Sequence, residues 1–80
     1  MKRLHVQYFA LLREQRGAGE ETCETTANNP VDLYNELRAR HSFSLPPERV
    51  RAAINDEFAA PSAPLNDGDR VAFLPPVAGG

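Results

Sequence analysis

Apolar and polar positions alternate along the first segment, with Leu4, Val6 and Tyr8 set against Arg3, His5, Gln7 and Phe9. That pattern predicts a strand whose even-numbered face turns inward. From Ala10 to Arg16 every residue is a good helix former and Gly17 follows, so the strand gives way to a helix of one or two turns. Alternation returns over Glu20–Ala27, with Thr22, Glu24 and Thr26 against Glu21, Cys23 and Thr25, and predicts a second strand with a barely apolar inner face. Asn29-Pro30 then opens the main helix, about Val31 to His41. Asparagine serves as N-cap, proline fits the first helical position, and Asp32 lies near the positive end of the dipole. Val31, Tyr34 and Leu37, flanked by Leu33, form its apolar stripe. Asp32, Asn35, Glu36, Arg38 and Arg40 face water, with Glu36 and Arg40 a favourable i,i+4 pair.

Ser42–Glu48, with Pro46-Pro47, reads as a loop into a third strand, Arg49–Ile54. Asn55-Asp56 is a two-residue turn signal before a short fourth strand, Glu57–Ala59. Pro61–Pro64 is irregular, Leu65 is a lone apolar anchor, and Asn66-Asp67-Gly68 turns the chain into a last strand, Arg70–Leu74. There Val71 and Phe73 point one way and Arg70, Ala72 and Leu74 the other. Pro75-Pro76 ends it, because neither proline has an N–H to give to a ladder. The order β, short α, β, main α, β, β, β defines a small α+β domain over residues 1–74, followed by an extended tail over 75–80.

Six extended residues reach about 20 Å at the usual rise, deep enough to enter another protein's pocket. Gly79-Gly80 makes the end of that tail as thin as a peptide can be, since neither residue carries a Cβ. A frayed, glycine-containing terminus is common and needs no role. Here the pair follows a strand, a proline stiffener and two small residues, Val77 and Ala78, and we read it as functional: Pro75, Pro76, Val77, Ala78 and Gly79 insert, and the α-carboxylate of Gly80 reacts. A free carboxylate is a poor electrophile, so anything carried on it requires prior activation.

Gly68-Asp69, Val71-Ala72-Phe73 and Pro75-Pro76-Val77-Ala78-Gly79-Gly80 resemble the C-terminus of the ubiquitin-like sulfur carriers that serve as small subunits of molybdopterin synthase. Their pattern is close to G-D-x-V-A-F-x-P-P-V-x-G-G, and every fixed position is met. Phe9-Ala10 followed by Leu12-Arg13-Glu14, and Ile54-Asn55 before a short acidic turn, agree upstream. Arg70 departs, standing where an acidic residue is frequent. The resemblance implies a β-grasp, or ubiquitin-like, mixed sheet with one main helix packed across it. It also implies chemistry: an activating enzyme uses ATP to convert the Gly80 carboxylate to an acyl-adenylate, and a sulfur donor displaces AMP to leave a thiocarboxylate. Docked in the large synthase subunit, that sulfur attacks a cyclic pyranopterin precursor. The chain is then a non-catalytic co-substrate of a sulfurtransferase that binds no cofactor itself, and the expected assembly is a heterotetramer. A carrier for thiamin or tRNA thiolation and a ubiquitin-like protein modifier share the tail and remain alternatives.

Composition narrows the classes without choosing among them. Eighty residues make one domain, of a size that buries about 60% of its unfolded surface. At 41% hydrophobic and 25% charged the chain is neither disordered nor membrane-spanning. A formal net charge of −2 with scattered basic residues argues against nucleic acid. No secretory leader is evident, so the cytoplasm is the expected compartment. Cys23 is the only cysteine, which excludes an internal disulfide and any four-cysteine metal site. Its acidic neighbours Glu20, Glu21 and Glu24 would raise its pKa, so it reads as a strand residue. His5 and His41 match no metal-ligand or nucleophile-base spacing and read as surface or strand-edge residues. Glu20-Glu21 reads as a solvated edge and Asp67 with Asp69 as part of a turn.

In a β-grasp sheet the first and last strands are neighbours. Phe9 and Leu74 fall on the outer parity of those strands, so together they should expose an apolar patch at the root of the tail, extended by Phe58. Large apolar residues exposed together mark a surface that a partner covers.

Overall fold

The computed structural model describes residues 1–76. Its strands are β1 (Lys2–Tyr8), β2 (Glu20–Thr25), β3 (Arg51–Ile54), β4 (Glu57–Ala59) and β5 (Arg70–Leu74), and its helices are α1 (Ala10–Arg16) and α2 (Pro30–His41). They build one five-stranded sheet in the order β2-β1-β5-β3-β4. β1 and β5 run parallel at its centre, with Val6 beside Val71 and Tyr8 beside Phe73. Every other pairing is antiparallel. This mixed sheet with a helix across it is the β-grasp architecture expected. Among the described residues no helix is long and apolar enough to cross a membrane.

The alternation in β1 and β5 decides the core. Leu4, Val6, Tyr8, Val71 and Phe73 are buried from the sheet, and Leu33, Tyr34 and Leu37 from α2 close over them. Val31 is only half-buried, and Pro30 replaces it in the covered stripe. The Asn29 side chain accepts from the Asp32 N–H at 2.9 Å, the N-cap expected. α1 adds Leu12 and stops where Gly17 takes φ 84° and donates to the Arg13 carbonyl.

Two boundaries differ from the sequence reading. β2 ends at Thr25 rather than Ala27, because the Thr25 hydroxyl accepts from the Ala27 N–H at 3.0 Å and turns the chain out of the ladder. β3 begins at Arg51 rather than Arg49. The segment Pro47–Arg49 winds into a single 3-10 turn, its bonds running from the Arg49 and Val50 N–H groups to the carbonyls of Pro46 and Pro47. The loop after α2 also contributes to the core: Ser42 takes φ 59°, and Phe43 is buried with its ring stacked on Tyr34, centroids 5.9 Å apart.

Glu21 and His41 correct the sequence reading more sharply. The Glu21 side chain is only 14% exposed and that of His41 only 13%, so neither belongs to a solvated edge or surface. One Glu21 oxygen, Oε2, receives the Tyr8 hydroxyl at 2.6 Å and Arg16 Nε at 2.9 Å, and lies 2.8 Å from His41 Nε2. Burial pushes the Glu21 carboxyl up, but the bonds from Tyr8 and Arg16 and the nearby charges outweigh it and hold the pKa below the ordinary value. Burial and the bond to Glu21 together push the Tyr8 phenol far upward. One carboxylate therefore ties the ends of β1, α1 and α2 to β2. Glu36 is likewise half-buried rather than facing water, accepting from the Thr25 hydroxyl at 2.8 Å while it pairs with Arg40. His5 stays near the sheet surface, 3.7 Å from Glu20.

Candidate functional site

The outward face of the sheet follows from register. Ala72 pairs with Gln7 on one side and Ala53 on the other, and Ala53 pairs with Phe58. Gln7, Ala72, Ala53 and Phe58 thus form one row across four strands, all on the side away from α2. Tyr8 pairs with Phe73, which sets the following residues, Phe9 and Leu74, at the next position along. Two alanines in the middle of the row leave a depression between Phe9 and Leu74 on one side and Phe58 on the other. Its volume is 150 Å³, and all three residues line it.

Phe9 is 43% exposed and Phe58 70% exposed, while Leu74 is half-buried rather than fully outward. Phe9 is thrown outward where the chain leaves β1: its own backbone is extended, and Ala10 then starts α1 at φ 51°, in the left-handed region that disfavours a residue with a Cβ. Arg70 and Asp56 close one end of the depression with an ion pair at 2.7 Å. Both side chains are more than half exposed, so the pair contributes little stability and chiefly presents charge beside the apolar surface. The sequence reading brought Phe9, Phe58 and Leu74 together but missed Gln7, Ala53 and Ala72. The parity of β3 and β5 carried the signal for the two alanines; which strand lies beside which was needed to use it.

The tail roots at this surface. Leu74 both lines the depression and precedes Pro75, which is half-buried, and Pro76, which is exposed. Val77, Ala78, Gly79 and Gly80 lie outside the described residues. Among the described residues no group of three or more His, Cys, Asp or Glu side chains is placed to hold a metal. Cys23 is buried, and burial followed by the charges of Glu36 and Glu21 pushes its thiol up, away from the reactive thiolate.

A β-grasp sheet with an apolar depression at the root of a proline-stiffened C-terminal segment defines a ubiquitin-like protein. The chain belongs to the ThiS family, whose model matches residues 6–80. It is 35% identical to the molybdopterin synthase sulfur carrier subunit of Escherichia coli K12, covering 96% of this chain and 99% of that one. Among solved structures it is similar to a putative molybdopterin converting factor subunit 1 from Pyrococcus furiosus, with TM-score 0.78 and 27% identity over 96% of this chain and all of that one. It is also similar to a chain in the protein-protein complex of subunits 1 and 2 of molybdopterin-converting factor from Helicobacter pylori. That match has TM-score 0.66 and 25% identity, over 98% and 99% of the two chains.

Proposed function

We propose that this chain is the sulfur-carrier subunit of a molybdopterin synthase, with Gly80 as the carrying group. The observation that supports this best is the specific tail motif rooted directly in an exposed apolar depression, in a chain whose curated relatives carry the same role. The carboxylate of Gly80 attacks the α-phosphorus of ATP on an activating enzyme and releases pyrophosphate. A sulfur donor then displaces AMP. The thiocarboxylate enters the large synthase subunit, where exclusion of water protects it from hydrolysis, and its sulfur passes to a cyclic pyranopterin precursor. Such a subunit binds no cofactor of its own; ATP belongs to its activating partner.

Incubation with ATP, activating enzyme and a sulfide source is expected to raise the intact mass by about 16 Da, sulfur replacing one oxygen. Conversion of the precursor by the charged protein and the large subunit then separates this role from thiamin or tRNA thiolation. An unchanged mass, or charging without conversion, refutes the assignment.

The depression is the surface we assign to the large subunit, a partner whose existence the Helicobacter complex of subunits 1 and 2 supports. Phe9→Ala and Phe58→Ala are expected to weaken binding by about tenfold or more. Both residues are substantially exposed, so unfolding should shift by less than about 1 kcal/mol. Leu74→Ala, half-buried, should lose affinity with a somewhat larger stability cost. Phe73→Ala, on the buried parity of the same strand, is expected to lose about 3–5 kcal/mol of stability instead. Titration calorimetry and thermal unfolding check both columns of that contrast, and normal binding by all three surface variants places the docking surface elsewhere.

A further inference from the structure

Arg51 stands on the outer face of the sheet, at the end from which the tail departs. It pairs with Leu74 in register, so the two side chains leave the same face with Cβ atoms about 5 Å apart. Pro75 follows Leu74 directly. On its other side the Arg51 guanidinium lies 5.4 Å from the centroid of the Phe58 ring, within cation–π range. Phe58 and Leu74 both line the depression, so a cation is held between two of its walls. The other basic side chains of this face are placed differently. Arg3 meets Glu24 at 3.1 Å, His5 lies 3.7 Å from Glu20, and Arg70 meets Asp56 at 2.7 Å. Arg51 has no carboxylate within ion-pair distance among the described residues, and its side chain is exposed to water.

We propose that the large subunit covering the depression sets a carboxylate against Arg51, and that this ion pair fixes the partner's orientation at the root of the tail. This rests on the docking surface assigned above and adds its charged contact. The physical reason is desolvation. A partner that covers both Phe58 and Leu74 must also cover the cation held between them and strip its water, and a cation buried without a counter-charge offsets the apolar contact around it. The partner therefore has to bring an acceptor. A carboxylate suits the planar guanidinium because it accepts two parallel N–H bonds, and the ring of Phe58 already limits how that guanidinium is turned. Arg70 makes no such demand, since Asp56 faces it within the chain. A protein that brings a basic group to the same place meets repulsion, so Arg51 also selects among partners.

The test measures affinity of the full chain for its cognate large subunit at low and high salt, with thermal unfolding of every variant. Arg51→Glu is expected to weaken binding by about tenfold or more. Arg51→Met keeps an apolar side chain over Phe58 without the charge; it should weaken binding by about fivefold and show a smaller salt dependence than the parent. Arg3→Glu makes the same change of charge farther along the same face, beyond the range of screened charges, and should stay within about twofold of the parent. Phe9→Ala reports on the apolar depression alone. Unfolding of both Arg51 variants should lie close to that of the parent, because Arg51 is exposed and its substitution leaves the buried side chains in place. If Phe9→Ala weakens binding while both Arg51 variants bind as the parent does, or if Arg3→Glu weakens it as much as Arg51→Glu, the inference falls while the docking surface stands. If Phe9→Ala and both Arg51 variants bind as the parent does, or the parent does not bind, the assigned docking surface fails and the inference with it.

Discussion

Deletion of Gly80 is expected to abolish sulfur delivery and to leave thermal unfolding where it is in the parent protein. The carboxylate then moves back along the tail by about 3.3 Å, one extended residue. A displacement of about 1 Å at a reacting group can cost on the order of a hundredfold in rate, so the loss here should exceed that. The strands, helices and core contacts described all lie within residues 1–76, and the deletion changes none of those residues. Appending one residue after Gly80 displaces the carboxylate in the other direction and should be as damaging. Single-turnover conversion of the precursor, with matched unfolding curves, checks this. Near-parental conversion by either variant removes Gly80 from the mechanism.

Glu21→Ala gives the largest expected loss of stability outside the apolar core. It strips a largely buried carboxylate from the Tyr8 hydroxyl, Arg16 and His41 at once, leaving a buried phenol and a partly buried guanidinium without their acceptor. We expect about 2–4 kcal/mol, below the full cost of breaking a buried ion pair because Arg16 remains 29% exposed. In a domain of this size that lowers the unfolding temperature by on the order of 10–20 °C. The same carboxylate makes the fold acid-sensitive. Its folded pKa is lowered, so its contribution is fully present above the ordinary value of 4.5 and is lost as pH falls through the lower folded value, the unfolded chain taking up its proton first. Urea unfolding between pH 7 and pH 3 should therefore show a stability decline in the parent that is blunted in Glu21→Gln. Parallel declines in the two proteins would assign the acid sensitivity to other carboxylates.

The two predictions draw on different layers of information. The proposal for the tail could be read from the chain because it depends on local covalent facts: two residues without Cβ, two without an N–H, and a terminal carboxylate. Alternation in β1 and β5 and the capped stripe of α2 were legible for a similar reason, since a strand or helix must segregate its faces at a fixed period whatever it packs against. Parity put Phe9 and Leu74 on the outer face, and the resemblance made their strands neighbours. Glu21 and Phe43 were not legible in this way. Alternation set Glu21 on the face of β2 that carries Cys23 and Thr25, but that face is barely apolar, and nothing within β2 shows that the carboxylate meets Tyr8, Arg16 and His41, residues from three other elements. Phe43 lies in a loop with no period to read, and only the left-handed end of α2 turns it inward. By itself, then, the sequence determined the element order and the inward faces, and it supplied the proposal that Gly80 is the reactive end. Tertiary structure decided how β2, β3 and β4 flank the β1–β5 pair, and with that the depression and the Glu21 cluster, because contacts between residues far apart in the chain have no periodic trace along it.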